Sequence, residues 1–118
     1  MRKAPNEKKT KTYRSTVLKI RHHIKSKDFF SGVSCWYIGI TNNVYVRKAQ
    51  HMRKDYPDMK YFRSFYVYSM HIASQIEDYF SDEGALNHKG KRGAKENSRY
   101  VYVFKGNSNF LDILFGDN

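Results

Sequence analysis

The 118 residues are 40% apolar and 16% aromatic, which suits one small domain with a single modest core. No apolar run reaches the length of a membrane span, no leader-like pattern opens the chain, and a lone cysteine, Cys35, excludes an internal disulfide, so the expectation is a soluble, cytoplasmic protein. The formal net charge of +11 selects for a polyanionic partner and against a basic one.

The charge is uneven. Residues 1–30 hold ten Lys/Arg against Glu7 and Asp28; residues 31–85 hold six of each sign; residues 86–118 hold six against three. A neutral body with basic appendages is a common layout for a nucleic-acid binder.

Residues 1–14 are Lys-rich and lack apolar periodicity, so they read as a disordered basic arm. Residues 15–33 read as an N-terminal helix and turn. Ser15 or Thr16 can cap the helix, and Val17, Ile20 and Ile24 form its apolar stripe to about Lys27. Arg21, His22, His23 and Lys25 lie on its polar side as candidate phosphate contacts. Phe29-Phe30 then Ser31-Gly32 reads as an apolar anchor and a turn.

Residues 34–118 read as the main domain. Ser34–Thr41 is the first strand, with Trp36, Ile38 and Ile40 on one face and Cys35, Tyr37 and Gly39 on the other. Asn42 or Asn43 can cap a following helix that runs to about Lys54 and stops before Tyr56-Pro57. Arg47 and His51 sit one turn apart on one face of that helix, with Lys48 beside them. Phe62–Met70 is a second strand. Ser69 or His71 precedes a helix over about Ile72–Asp82, which Gly84 ends. Asn87–Ser98 is a basic, glycine-containing loop whose Lys89, Lys91, Arg92 and Lys95 can approach phosphate, though not with P-loop spacing. Tyr100–Lys105 is a third strand, and Phe110–Phe115 is an apolar terminal segment, a short helix or an oligomer surface. The fold class is α/β of the α+β type: a small three-stranded, mainly antiparallel sheet flanked by helices. Five histidines and Cys35 are too scattered for a zinc site.

Tyr37, Arg47, His51 and Glu77 are the residue types that phosphodiester hydrolysis needs. Glu77 is a hard oxygen ligand for one Mg²⁺, with Mn²⁺ as a substitute. Arg47 can fork onto two phosphate oxygens. Tyr37 can position water or donate to phosphate, and His51 can accept a proton or hold a tyrosine oxygen.

Tyr37-Ile38-Gly39, Arg47 ten residues on, His51 four after that, and Glu77 on the next helix resemble the GIY-YIG nuclease domain, across residues 36–105. WYIGITN (Trp36–Asn42) and YVYVFK (Tyr100–Lys105) are similar to segments of small stand-alone members. The resemblance implies a metal-dependent endonuclease, with the metal on Glu77 and transition-state contact at Arg47. DNA is the favoured substrate over RNA, and a phage or mobile-element setting, hence a host cytoplasm, is compatible. The chain departs from the family at its first motif. Where a tyrosine would precede Tyr37 by eleven residues stands Ser26, and no tyrosine lies between Tyr13 and Tyr37. A hairpin over Asp28–Phe30 with His22 or His23 as the base is one substitute; the histidines as plain helix residues is the other. Ile40 stands where many members carry Lys, and Asn87 and Asn97 both compete for the family's late asparagine. The competing functions are a catalytically silent nucleic-acid-binding or nuclease-regulating module, and an RNA-binding protein that stacks bases on Tyr66, Tyr68, Tyr100 and Tyr102.

Overall fold

A computed structural model describes residues 9–28, 32–87 and 97–106. These form helices α1 (Lys11–Lys27), α2 (Val44–Lys54) and α3 (Met70–Asp82) and strands β1 (Trp36–Thr41), β2 (Lys60–Tyr66) and β3 (Tyr100–Lys105). The sheet is antiparallel throughout, in the order β1-β3-β2. The beginning of the arm, Phe29-Phe30, the basic loop positions Lys89, Lys91, Arg92 and Lys95, and Phe110–Phe115 lie outside the described residues.

The α+β architecture follows the expectation, but several boundaries move. The arm over residues 1–14 gives way to helix from Lys11. The cap is Thr10, whose hydroxyl accepts from the Tyr13 amide at 2.9 Å, and not Ser15 or Thr16. Tyr13 extends the stripe of Val17, Ile20 and Ile24 by one turn, so burial of its ring offsets the local excess of Lys. A 3₁₀ turn over Val33–Cys35 delays β1 to Trp36. The second strand starts at Lys60 instead of Phe62 and ends at Tyr66 instead of Met70. Its register with β3 shifts between Lys60 and Arg63, where Tyr61 adopts φ 60°. At its far end Tyr68, at φ 74°, turns the chain so that Ser69 caps α3.

Asn43 caps α2 by accepting from the Val46 amide at 3.1 Å. Gly84 closes α3 at φ 106°, with Ala85 N–H to the Phe80 carbonyl and Gly84 N–H to the Ser81 carbonyl, the paired bonds of a Schellman end.

β1 is buried on both faces. One face carries Trp36, Ile38 and Ile40 and joins Val101, Val103 and Phe65 from the sheet with Ile20, Ile24, Ile76 and Phe80 from α1 and α3. Each such side chain contributes roughly 1.5–3 kcal/mol on burial. The other face carries Tyr37, Tyr102 and Phe104, a smaller aromatic cluster joined by Phe62 and Tyr56. Among the described residues no helix is long and apolar enough to cross a membrane.

Candidate active site

β1 presents Tyr37 and Gly39 to the face opposite the main core, and β3 presents Phe104 and Tyr102 directly across from them. Alternation along the strands forces this. The close approach of β3 depends on Gly39: a Cβ there would fall on the hydroxyl and Cζ of Tyr102. The Tyr102 ring therefore crosses the glycine and brings its hydroxyl towards α2.

α2 closes over one end of this aromatic face. His51 packs edge-on against Tyr37, with ring centroids 4.6 Å apart, and Tyr37 lies flat on Phe104 at 5.0 Å. The Tyr102 hydroxyl lies 2.7 Å from His51 Nε2 and accepts from Arg47 Nε at 3.2 Å. It also shares a hydrogen bond with the Tyr37 hydroxyl. Arg47 Nη1 donates to Gln50 Oε1 at 2.9 Å. The guanidinium is thus held at two edges, and the Tyr37 hydroxyl adds a further hydrogen bond.

Tyr37 and Tyr102 are 2% and 1% exposed. Burial raises the pKa of Tyr37, against the opposing pull of the Arg47 charge and the Tyr102 hydrogen bond, while the Glu77 charge adds to the rise. Burial raises Tyr102 further, reinforced by Tyr37 and opposed by Arg47. Both phenols therefore keep their protons at neutral pH. Burial works against the Arg47 charge, but the Tyr102 and Tyr37 hydroxyls outweigh it and raise its pKa.

Tyr37, Arg47 and His51 thus converge. Glu77 stands on α3, half-buried, near enough for its charge to act on Tyr37. As one carboxylate it has the donor chemistry for Mg²⁺, which binds one or two carboxylates and keeps several waters. No group of three or more His, Cys, Asp or Glu capable of holding a metal occurs among the described residues. Outside the aromatic node, Arg47 opens onto a cleft of about 260 Å³, bordered by Thr41, Asn42, Val46, Gln50 and Ser98. Asn42 Nδ2 donates to Asn97 Oδ1 at 2.9 Å on this border, so Asn97 neighbours the Arg47 cleft.

The α1 candidates separate. His22 and Lys25 are exposed, but His23 is buried, with Nε2 at 2.8 Å from the Tyr61 carbonyl and its ring edge-on to Trp36. Trp36 points to the opposite face of β1 from Tyr37, so His23 is neither a surface phosphate contact nor a base for this site. Arg21 is engaged by Glu83 at 2.8 Å and by the Tyr79 hydroxyl. Lys48 lies over the Phe62 ring, 5.0 Å from its centroid. Ser26 bonds to the His23 carbonyl within α1, far from any motif role.

Sequence reasoning missed Tyr102 as a member of the node, having read it as a strand aromatic. Its signal was present but needed the strand register: of the three alternating aromatics of β3, only Tyr102 faces a glycine. Neither family models, nor curated proteins, nor solved structures match this chain.

Proposed function

We propose that the chain is a metal-dependent endonuclease that hydrolyses nucleic-acid phosphodiester bonds, DNA foremost, through a GIY-YIG-type site. The observation that carries this reading is the convergence of Tyr37, Arg47 and His51 on the Tyr102 hydroxyl beside the Arg47 cleft. Tyr102 takes the part of the missing first-motif tyrosine, reaching Tyr37 from the third strand instead of from a preceding one.

Arg47 is the group that meets the phosphate. Its donors stabilise the charge that builds on the non-bridging oxygens, and its fixed geometry means little reorganisation at the moment of reaction. Tyr37 and Tyr102 lie beneath it as proton-bearing hydroxyls and hold the guanidinium in place. His51 is the proton acceptor of the node, reached through the Tyr102 hydroxyl. Glu77 would hold the Mg²⁺, which supplies Lewis-acid polarisation of the phosphate when bound. Gln50 and Asn42 border the cleft, the latter held by Asn97, and can orient the substrate or water.

A catalytically silent binding module is the second reading, and the near-complete burial of both phenols favours it. A plasmid-nicking assay with Mg²⁺ or Mn²⁺ decides between them. Nicking by the parent that Glu77→Ala abolishes supports the nuclease. DNA binding without nicking in either protein sinks it and leaves the module. Binding of RNA but not DNA would favour the RNA-binding alternative.

A further inference from the structure

The aromatic face that α2 covers at its Phe104 end continues, uncovered, towards Tyr100 and Tyr66. A second cavity of about 440 Å³ opens there, across the start of α2 from the Arg47 cleft; the two share Asn42 and Asn43. Its floor is Phe62, Ser64 and Tyr100 from the sheet, and its wall is Tyr45 and Lys48 from α2. Tyr45 is 86% exposed although its ring is large and apolar. From the cavity the rings continue outward: Tyr100 to Tyr66 at 5.0 Å, then Tyr66 to Tyr68 at 4.7 Å. Tyr66 and Tyr68 are 47% and 66% exposed.

The register makes the row. Tyr66 pairs with Tyr100 and Ser64 with Tyr102, so these side chains share one face of the sheet, the face of the candidate active site. Tyr68 stands in the left-handed region at φ 74°, a conformation that a bulky side chain rarely adopts. The fold thus keeps a ring at this exposed corner where glycine would be the unstrained choice.

We infer that this cavity and the Tyr100–Tyr66–Tyr68 row form a stacking subsite for the bases of a single-stranded nucleic acid whose backbone passes Arg47. The inference rests on the nucleic-acid reading above, not on cleavage. Exposed aromatic faces stack on any base with a free face, whereas in an intact duplex those faces are already covered by neighbouring bases. A cavity of this size admits a base with its sugar. Lys48 on the wall supplies a cation for the adjoining phosphate, and the Ser64 hydroxyl and the Asn42 carboxamide oxygen offer polar contacts at the base edge. The net charge of +11 complements the polyanion. The substrate class is then a single strand, a frayed end or a strand with an unpaired base, in preference to continuous duplex.

The test is fluorescence anisotropy without metal, using a labelled single-stranded 12-mer as DNA and as RNA, and the DNA duplex of the same sequence, over a range of salt. The expected result is tighter binding of the single strand than of the duplex. Tyr45→Ala and Tyr66→Ala should each weaken single-strand binding about 5- to 100-fold while leaving duplex binding and the salt slope unchanged. Lys48→Ala should instead flatten the single-strand salt slope by about 0.7. Tyr66→Phe, which keeps the ring, should bind like the parent. Whichever sugar binds more tightly identifies the natural strand. Equal binding of duplex and single strand, or Tyr→Ala variants that bind single strands like the parent, would overturn the inference. Nicking plays no part in these readouts, so a silent module with this subsite and a nuclease without it are told apart.

Discussion

The Tyr102 hydroxyl and His51 Nε2 lie 2.7 Å apart inside the protein, one on the central strand and one near the end of α2. The same hydroxyl accepts from Arg47. Removing it takes a hydrogen-bond partner from a buried imidazole and from a guanidinium edge at once. Tyr102→Phe is expected to cost about 1–3 kcal/mol, the range for an unsatisfied buried polar group, measured by urea unfolding. His51→Ala should cost a similar amount. The double variant should cost less than the sum by about 1 kcal/mol or more, because the two residues are in contact. Strict additivity would mean that the bond carries no coupling.

Gly39→Ala places a methyl group against the Tyr102 hydroxyl and Cζ. The Tyr102 ring cannot retreat without giving up the contacts of its hydroxyl with His51 and Arg47. Overpacking of this kind costs about 1–3 kcal/mol, and here it also displaces the hydroxyl from His51 and Arg47. The variant should therefore lose stability and, if the chain is a nuclease, nicking together. A Tyr102→Leu background, which shortens the side chain opposite, should restore most of the Gly39→Ala stability loss. A Gly39→Ala protein with the parent urea midpoint would show that β3 approaches less closely.

Much of this arrangement was legible before the fold was. The Tyr37 strand, the helix with Arg47 and His51 that Asn42 or Asn43 caps, and the Gly84 stop all follow from local rules of alternation, capping and left-handed turns. Three features were not. Tyr13 belongs to α1 because of a long-range contact, its ring meeting Tyr79 of α3 at 6.4 Å, and local Lys content conceals that. His23 resembles a polar-face residue by periodicity, yet the Tyr61 carbonyl and Trp36 draw it inward. Tyr102 joins the site only through the β1–β3 register, which no local pattern encodes.

Burial raises the pKa of Tyr37, Tyr56 and Tyr102 above the usual value near 10. An acid whose folded pKa is raised holds its proton longer in the native state than in the unfolded chain. Between the two values the unfolded state binds fewer protons, so stability falls as pH rises. The protein should keep its full tyrosine-derived stability through neutral pH and lose it progressively above about pH 10. Urea midpoints from pH 7 to 11.5 measure the loss, and tyrosinate absorbance should show the buried phenols ionising only on unfolding. The Tyr102→Phe protein should show a shallower decline. An equal decline in parent and variant would assign the pH dependence to other groups.

Two ion pairs tie distant segments and should differ in worth. Asp28, at the end of α1, meets Lys105 of β3 at 2.7 Å with both side chains 16% exposed or less. Arg21 meets Glu83 at 2.8 Å with both side chains 36% exposed. Water screens the second pair but hardly reaches the first. Lys105→Ala should therefore cost about 3 kcal/mol by taking a close cation from a carboxylate in a dry setting. Glu83→Ala should cost about 1 kcal/mol or less, and added salt should narrow only that effect. A Lys105→Met variant, which keeps the packing of the chain and loses the charge, should be destabilised as much as Lys105→Ala if the charge carries the effect.

Tyr61 and Tyr68 both occupy the left-handed region, at φ 60° and 74°, but for different ends. Tyr61 lies flat against buried Trp36, with centroids 6.2 Å apart, and its carbonyl holds His23. Tyr68 touches Tyr66, itself half in solvent, and is 66% exposed. Glycine relieves roughly 1–2 kcal/mol of backbone strain at either position and costs about 0.5–1 kcal/mol in unfolded-state entropy. At Tyr68 little packing is lost, so Tyr68→Gly should be as stable as the parent or slightly more so. At Tyr61 the ring that covers the indole is lost, so Tyr61→Gly should fall below Tyr68→Gly by about 1–2 kcal/mol. Single-strand binding should show the opposite order, weakened by Tyr68→Gly and retained by Tyr61→Gly. If Tyr68→Gly destabilised as much as Tyr61→Gly while binding was unchanged, the ring at position 68 would be a packing element and its strain would have a structural cause.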